Sequence, residues 1–561
     1  MLAQNLQRKD AKEQRREELI GKVKRAEILS GGTLRSLFGF PFAALHPCIF
    51  ALIILSFSCG SKPTDLRTLV PAETLVYLET NDLAAALQPI VSNKAFDVLA
   101  KSKPDLSALR GVQLAVAVTG FETSEEKLTD EHSVGRVQPH FVAVADTHAW
   151  QFQTVRFAEQ KLGSFVAEIY GSEPTLEKSE KGGGHYLVWT AKDGRKAFAV
   201  VSRNLIYFSN DETAIDKCLA VSRGEADSIA KTGKVQNASQ ETLASGYVST
   251  DGIAQIANIV GLKFASEAGE DSEVQSAIAG ILPQLLRNSI TDITWTTTGD
   301  PIQVEDRFVI STSPDVSTIF SETLTPSGNT DASLLEFIPD DTPNATLYNL
   351  KDPQISWRSV LLVTQKKSDP LAGRVLTSFS GSLFEPYGIH DAEAFLSSIG
   401  PNILTAKLDA EGEEPVVVAT VKDKERIIKS LATELKLNKQ MTDELGLEFL
   451  QSSDVAAAFF ENKVIVGDAD SVIKCIRARK SDNPSARSSF AAVASAAATT
   501  LSIDDDIQGR VVDMLGERRI GGHTDPLPYV SETRFTKTGI ERRTVSDFGL
   551  IGSIIAQLAQ D

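Results

Sequence analysis

Short apolar runs of strand length recur along most of the chain. Residues 112–119 (VQLAVAVT) and 140–146 (HFVAVAD) are alternating or fully apolar, which predicts strands. The charged residues 122–138 between them predict a loop. Two further apolar runs, 185–191 and 196–208, predict a hairpin.

Helix-like segments follow several of these strands. Residues 69–82 predict a strand that leads into a helix capped by Asn81 or Asp82, whose side chain can accept a free backbone N–H group. Helical spacing of apolar residues continues over 83–99, and residues 148–163 predict a helix that ends at a glycine. Together these elements predict an α+β fold with a mainly antiparallel sheet and helices packed on it.

The same succession of elements is written twice. Residues 203–218 (RNLIYFSNDETAIDKC) and 461–475 (ENKVIVGDADSVIKC) each contain a short turn, an apolar run, an acidic cap and a helix that carries a cysteine. Four further segments match in the same order: 71–74 with 339–342, 139–144 with 415–420, 246–251 with 501–506, and 292–299 with 532–539. The sequence therefore predicts a tandem duplication.

This layout divides the 561 residues into six segments. They are a charged cytoplasmic tail or residues upstream of the true start (1–36), a signal or anchor segment (37–59), a tether (60–68), a first α+β repeat (69–314), a linker (315–333) and a second α+β repeat (334–561). The two repeats differ mainly in loops, where function often lies. The largest such difference is 351–390, for which a hinge helix packing one repeat on the other is the favoured interpretation.

The N-terminal region predicts export. Residues 37–58 are almost free of charge, and about 20 apolar residues suffice to span a bilayer. The segment LSFSCGS that follows resembles a bacterial lipoprotein signal, in which a small residue (Ser58) precedes a lipidated cysteine (Cys59). Ser56 and Phe57 depart from that pattern, so an uncleaved transmembrane anchor stays open as the alternative, with a buried helix third. Either anchor would export everything after Cys59.

Composition narrows the class of partner. The net charge of -17 argues against a nucleic-acid partner, which requires a basic face. Cys218 and Cys475 occupy equivalent positions in separate repeats, which predicts two buried thiols rather than a disulfide.

No catalytic, cofactor-binding or metal-binding signature is found in the sequence. The glycines at 182–184 are better interpreted as a hairpin turn than as a phosphate cradle. His523 with Asp525 is better interpreted as a turn than as a metal site, and the acidic run 504–506 as a helix cap rather than a calcium site. Glu79 and Asp82 are predicted to be first-turn residues beside a helix N-terminus. Residues 548–558 form an amphipathic pattern that predicts a helix closing the second core.

The motif Pro71-Ala72-Glu73-Thr74 opens the first repeat, and residues 339–342 echo it with a departure at Asp340. With this motif the chain resembles a duplicated family of exported, membrane-anchored bacterial proteins of unknown function. The resemblance implies an envelope location and an α+β fold, and no catalytic residues are carried over from it.

These observations predict a non-enzymatic cell-envelope lipoprotein that acts as a binding or scaffolding module. The chain would face the periplasm, with Cys59 as the lipidated residue. The alternative is a periplasmic carrier that holds a small or lipidic ligand between the repeats, and a hydrolase with an unrecognised site comes third. The expected partners are an envelope protein or such a ligand, and the membrane through the anchor. No cofactor, metal or nucleic acid is expected.

Overall fold

The computed structural model describes residues 64–92, 106–127, 133–235, 241–267, 272–299, 303–328, 330–340, 342–409, 414–431, 434–480, 498–504, 529–546 and 549–551. The predicted anchor segment (37–59) lies outside these residues.

The strands of the described residues form one antiparallel sheet. They are β1 (Val76–Thr80), β2 (Gln113–Lys127), β3 (Ser133–Asp146), β4 (Thr175–Lys181), β5 (Gly184–Thr190), β6 (Lys196–Ser202), β7 (Leu205–Ser209), β8 (Thr242–Ser249), β9 (Ile290–Gly299), β10 (Val304–Thr312), β11 (Asn344–Asn349), β12 (Ile399–Lys407), β13 (Pro415–Val421), β14 (Lys436–Leu437), β15 (Glu448–Gln451), β16 (Ala456–Phe460), β17 (Lys463–Gly467), β18 (Thr500–Asp504), β19 (Tyr529–Thr536) and β20 (Gly539–Ser546).

Helices connect and cover the strands. They are α1 (Leu83–Ser92), α2 (Gln151–Phe157), α3 (Gly163–Ile169), α4 (Glu212–Ser222), α5 (Thr250–Glu267), α6 (Ser272–Ser289), α7 (Pro314–Thr323), α8 (Pro353–Lys367), α9 (Pro370–Phe379), α10 (Ala392–Ser398), α11 (Lys424–Ser430), α12 (Lys439–Leu445) and α13 (Ala469–Lys480). The predicted α+β class with a mainly antiparallel sheet is confirmed.

Strands β1–β10, here called the first half, and β11–β20, the second half, follow the same order across the sheet. The first half runs β4-β5-β6-β7-β3-β2-β1-β8-β9-β10. The second half runs β14-β15-β16-β17-β13-β12-β11-β18-β19-β20. Each strand of the first half thus has a counterpart ten numbers later, and the pair β10–β20 joins the halves at the centre.

Helices pack on both faces of each half. Helix α4 contacts β3, β6 and β7, and its counterpart α13 contacts β13, β16 and β17. Neighbouring residues of the inner strands alternate between the two faces. Val200 belongs to the core beside α4, whereas Ala199 and Val201 belong to the core beside α2 and α3. Because both faces are buried, these strands read as nearly continuous apolar runs.

The turns and helix caps of the two matching segments, 203–218 and 461–475, are equivalent in the structure. Arg203 and Glu461, the first residues of the two tight turns, both have left-handed backbones, with φ of 56° and 51°. Asp211 caps α4 by accepting from the Thr213 N–H group, and Asp468 caps α13 by accepting from the Ser471 N–H group. Each helix then carries its cysteine as the seventh residue.

The strand pair β10–β20, here called the seam, is fully registered from Val304 opposite Ser546 to Ser311 opposite Gly539. Arg543 crosses it and donates from Nε to Glu305 Oε2 at 2.8 Å. Gly539, with φ of 149°, leaves room for this approach, because a Cβ there would lie 2.0 Å from the Ile310 carbonyl oxygen.

Asp306 is the buried charge of the seam and has no exposed surface. Its carboxylate accepts from Thr297 Oγ1 at 2.5 Å and from the Leu550 N–H group at 2.5 Å. Burial raises the pKa of Asp306 to about 6, against the opposing effect of those hydrogen bonds. The carboxyl therefore joins the C-terminal segment to the centre of the sheet.

The helical segment after each half's last strand packs on the other half. Helix α7 follows β10 and packs on β19 and β20, with Phe320 and Phe535 ring centroids 5.6 Å apart. Ile551, after β20, packs on the core formed by α1. The expectation that the C-terminal helix closes the second core is therefore wrong for its described residues. Part of the range expected as linker (315–333) is helix α7.

Two local predictions fail for physical reasons. Residues 122–138 do not form a simple loop, because β2 and β3 stay paired out to Lys127 opposite Ser133, and backbone pairing does not require apolar side chains. Gly163 does not end a helix: the chain passes through a π-helical turn (Ala158–Leu162) into α3. Gly163 instead lets α3 approach the Trp189 indole, whose Nε1 would lie 3.2 Å from a Cβ.

The raised pKa of Asp306 predicts a pH dependence of stability. Because the folded carboxyl binds its proton more tightly than the unfolded one, its contribution is most favourable below pH 4 and is lost as pH rises through about 6. We expect Asp306→Asn to abolish this loss, so that the stability of the variant relative to wild type should rise by about 2–3 kcal/mol between pH 4 and pH 8. Urea unfolding of the full chain in detergent at pH 4, 6 and 8 measures it.

Asp315→Asn is the matched control. A hydrogen bond from Lys367 lowers the pKa of this exposed carboxyl, so its removal should not stabilise the chain at pH 8. If Asp306→Asn keeps the wild-type slope between pH 4 and 6, the carboxyl does not titrate as the structure requires.

Candidate functional site

Most of the residues with predicted chemical roles lie outside the described residues. Cys59, the predicted lipidation site, is among them, as are His523 and Asp525. Of the acidic run 504–506, only Asp504 is described, and it lies in β18 opposite Tyr529. Within the described ranges no group of histidine, cysteine, aspartate and glutamate side chains is arranged to hold a metal ion. Of the described helices, none combines the length and apolar character that a membrane crossing requires.

Three local predictions are confirmed. The glycines at 182–184 form the hairpin turn between β4 and β5, where Gly182 and Gly183 have φ of 58° and 77°. Asp82 caps α1, accepting from the Ala85 N–H group at 3.1 Å. Cys218 and Cys475 are buried and not disulfide-bonded, and burial raises the pKa of both thiols to about 12.

Glu79 corrects the sequence prediction. It is not in the first turn of a helix but in β1, where it is 5% exposed and faces the core. The Tyr77 hydroxyl donates to Glu79 Oε2 at 2.7 Å, and Ser245 Oγ donates to Oε1 at 3.3 Å. Burial raises the pKa of Glu79, and the hydrogen bonds and the charge of Arg67 oppose that rise.

Arg67, near the N-terminal end of the described chain, acts on this carboxylate through its charge. It lies in a short 3-10 turn (Leu66–Leu69) and donates from its guanidinium to both carboxylate oxygens of Asp65 and to the Val235 carbonyl. Leu66 of the same turn is buried in the first core. The predicted tether (60–68) is therefore part of the fold from Thr64 onward.

The positions equivalent to this cluster in the second half are apolar. Tyr77 lies opposite Tyr247, and Glu79 lies opposite Ser245, across the β1–β8 pair. Across the counterpart pair β11–β18, Ala345 lies opposite Ile503 and Leu347 lies opposite Leu501, all four in the second core. The fold therefore does not require a carboxylate here, and the polar cluster is specific to the first half.

The polar cluster of Tyr77, Glu79 and Ser245 has the features of a structural network and not those of a reaction site. Tyr77 and Ser245 are as buried as Glu79, so no substrate atom reaches the carboxylate in this conformation. Lys234, at the rim, lies 5.7 Å from the Tyr247 ring centroid and 3.6 Å from Asp292. Every member of the cluster has a partner inside the protein, which is the arrangement of a structural polar network.

A second polar network holds Thr64, the first described residue, against the sheet. The Thr64 N–H group donates to Gln113 Oε1 at 2.8 Å, and Thr64 Oγ1 donates to Asp146 Oδ2 at 2.5 Å. Asp146 is fully buried and also accepts from Asn204 Nδ2 and from the His148 N–H group. The first described residue is thus held at the edge of β2 and β3.

The stretch 351–390 forms α8, α9 and short 3-10 turns and lies between the halves. Helix α8 contacts α6, α7 and α10. Asn288 Nδ2 donates to the Lys367 carbonyl at 2.7 Å, and Lys367 Nζ lies 2.8 Å from Asp315 Oδ1. These contacts agree with a helix that packs one half on the other.

This stretch also carries exposed large apolar side chains. Leu371 is 67% exposed and Leu383 is 65% exposed, and Ile355 and Leu362 of α8 are exposed as well. The only comparable described residues elsewhere with more than two-thirds exposure are Trp150 and Phe152, beside the Asp146 network. Contiguous exposed apolar patches mark contacts to a partner or a membrane, whereas single exposed apolar residues are common on soluble proteins.

Comparison with known proteins gives little. No protein-family model matches the chain, and no curated protein matches it. Two solved structures of TP0453 show a weak likeness. Crystal form I aligns at 10% identity over 46% of this chain and 80% of that one, with a TM-score of 0.24. Crystal form IV aligns at 9% identity over 47% and 86%, with a TM-score of 0.23. At these scores the likeness carries no argument about fold or function.

The first core contains a polar cluster and the second does not. Substitutions at equivalent positions should therefore change the stability of the protein by different amounts. Glu79→Leu leaves the Tyr77 hydroxyl buried without an acceptor and should cost about 1–3 kcal/mol of stability. Adding Tyr77→Phe removes donor and acceptor together and should recover most of that loss. Leu347→Glu places a carboxylate among apolar neighbours and should cost about 3 kcal/mol or more. Urea unfolding at pH 8 compares the three variants.

Two results would contradict this account of the cluster. One is a double variant Tyr77→Phe/Glu79→Leu that is no more stable than Glu79→Leu alone. The other is a Leu347→Glu variant whose stability equals that of the wild type, since that would mean the second core can hold a carboxylate at this position without a polar cluster.

Proposed function

We propose that this protein is an exported, membrane-anchored, non-enzymatic scaffold of the bacterial cell envelope, built by tandem duplication of one α+β unit. Cys59 is the proposed lipidated residue, and the described chain faces the periplasm. The observation that carries the proposal is the identical order of ten strands in each half, joined through the seam into one sheet.

Duplication is supported by more than strand order. The left-handed turn residues Arg203 and Glu461, the capped helices α4 and α13 and their cysteines stand at equivalent places. Two separate origins would have to converge on all of these details. A duplicated unit whose halves stay hydrogen-bonded makes a long continuous sheet, which suits a scaffold.

A structural rather than catalytic role is supported by the buried carboxylates. Asp306, Glu79 and Asp146 all accept hydrogen bonds from groups that hold segments of the chain together. An enzyme would instead direct its perturbed groups into a cleft. The carrier alternative places a ligand between the halves, where the seam pairs them directly, and it therefore comes second.

The exposed side chains of 351–390 supply the proposed partner-binding face. Leu371 of α9 and Leu383 of the 3-10 turn that follows α9 are exposed, and Arg358 of α8 is paired with Glu393. Apolar anchors with a polar surround are typical of protein interfaces. We therefore assign this face to an envelope protein.

The anchor is tested by Cys59→Ser in the native host. We expect the wild-type chain to incorporate lipid and to fractionate with membranes, and the variant to lose lipid incorporation and to accumulate unprocessed. Cys48→Ser, in the same apolar segment, is the matched control and should behave as wild type. Unchanged processing and lipid incorporation in Cys59→Ser would refute lipidation and favour the uncleaved anchor.

The partner face is tested by photo-crosslinking in intact cells. A photoreactive residue at position 371 should give one dominant adduct, whereas one at Lys192, in the exposed β5–β6 turn, should not. Leu371→Asp combined with Leu383→Asp should release the same protein from affinity purification. Equal crosslinking from both positions, or none from position 371, would contradict this assignment.

A further inference from the structure

Two aromatic side chains at the beginning of α2 are largely exposed to solvent. Trp150 is 72% exposed and Phe152 is 70% exposed, whereas Trp189 and Trp295 are buried. Exposed apolar patches mark contacts with a partner or a membrane, and these two exposed aromatic residues are two positions apart in the chain.

Hydrogen bonds fix the backbone that carries these two residues. The Trp150 N–H group donates to Gln153 Oε1 at 3.2 Å. Thr147 Oγ1 donates to the Asn204 carbonyl and lies 3.0 Å from Thr154 Oγ1. The turn before α2 is thus tied to both its own helix and the β6–β7 turn, so the backbone from which the aromatic side chains extend has a defined position.

The same turn is tied to the entry point of the chain. Asp146 accepts both from Thr64 Oγ1 and from the His148 N–H group, two residues before Trp150. Thr64 is only five residues from Cys59. Five fully extended residues span at most about 18 Å, so an anchor at Cys59 holds this surface close to the bilayer.

Exposed cationic side chains accompany the aromatic ones. Arg156 is exposed and lies one helical turn after Phe152, on the same face of α2. Arg203 is exposed in the turn whose neighbour Asn204 binds Asp146. A chain of net charge -17 is repelled by anionic lipid as a whole, so local cations beside the anchor decide which face approaches the membrane.

We propose that Trp150, Phe152, Arg156 and Arg203 form a membrane-contact surface that seats the first half on the lipid bilayer beside the anchor. Tryptophan favours the boundary between headgroups and acyl chains, and arginine pairs with anionic headgroups. The inference rests on the proposed anchor at Cys59. It adds that the sheet is held in one orientation rather than swinging freely on a tether.

The test uses the full lipid-anchored chain reconstituted into vesicles of phosphatidylethanolamine and phosphatidylglycerol. Lipids brominated near the top of the acyl chain quench tryptophan only at short range. We expect them to quench part of the wild-type emission, since Trp150 is one of four tryptophans. Trp150→Phe should abolish that quenching. Trp357→Phe, which removes a ring packed on Phe384, is the control and should keep it. Phe152→Asp combined with Arg156→Gln should weaken the quenching.

Vesicle flotation separates failure of the anchor from failure of the contact surface. If the wild type floats but its quenching is unchanged in Trp150→Phe, the contact surface is refuted and the anchor stands. If Trp150 is shielded from acrylamide yet not quenched by brominated lipid, another part of the chain or a protein covers it, and the inference is equally refuted. A wild type that does not float refutes both.

Discussion

The backbone pairing of β10 with β20 is the interaction on which the rest of the molecule depends. Without it the two halves would be separate sheets, each with a long unpaired edge, which is an aggregation hazard. Pairing these edges with each other removes both at once and leaves β4 and β14 as the ends. β4 is charged (TLEKSEK) and β14 has two residues, features that discourage further strand addition.

The exchange of terminal segments strengthens this dependence. Helix α7 leaves the first half to pack on β19, and Ile551 leaves the second half to pack beside α1. Asp306 lies at the centre of this exchange, because its carboxylate holds the Leu550 N–H group. Each half therefore provides residues that pack on the other half. We expect neither half to have all of its packing contacts when it is alone.

The two halves differ at equivalent positions of their first strands. Each half begins with a strand that leads into a helix, yet Glu79 and Tyr77 face the first core where Leu347 and Ala345 face the second. The polar members lie beside the turn that carries Arg67, directly after the proposed anchor. In the second half the corresponding strand, β11, lies in the middle of the chain, and its core-facing residues are apolar. The polar cluster thus lies near the N-terminal end of the described chain, which the proposed anchor precedes.

Local features of the fold could be predicted from the sequence, since turns, caps and buried strands are set by neighbouring residues. The Asp82 cap and the two buried cysteines are examples. The position of Glu79 had a signal in the sequence, because alternation within β1 places it on the same face as Tyr77. Asp82 lies three residues later and caps the helix, which favoured the prediction that Glu79 also belongs to the first turn of that helix. The seam and the exchanged segments had none, since both depend on contacts between residues more than two hundred positions apart.

The most direct test of the central claim is native-state hydrogen exchange of the full chain, followed by mass spectrometry of peptides covering β10 and β20. If the halves are one interlocked unit, these peptides should exchange as slowly as the inner strands of either half, and at the same rate as each other. Rapid exchange of β10 and β20 while β7 and β17 stay protected would show two independently folded domains with a loose contact, and would contradict the account.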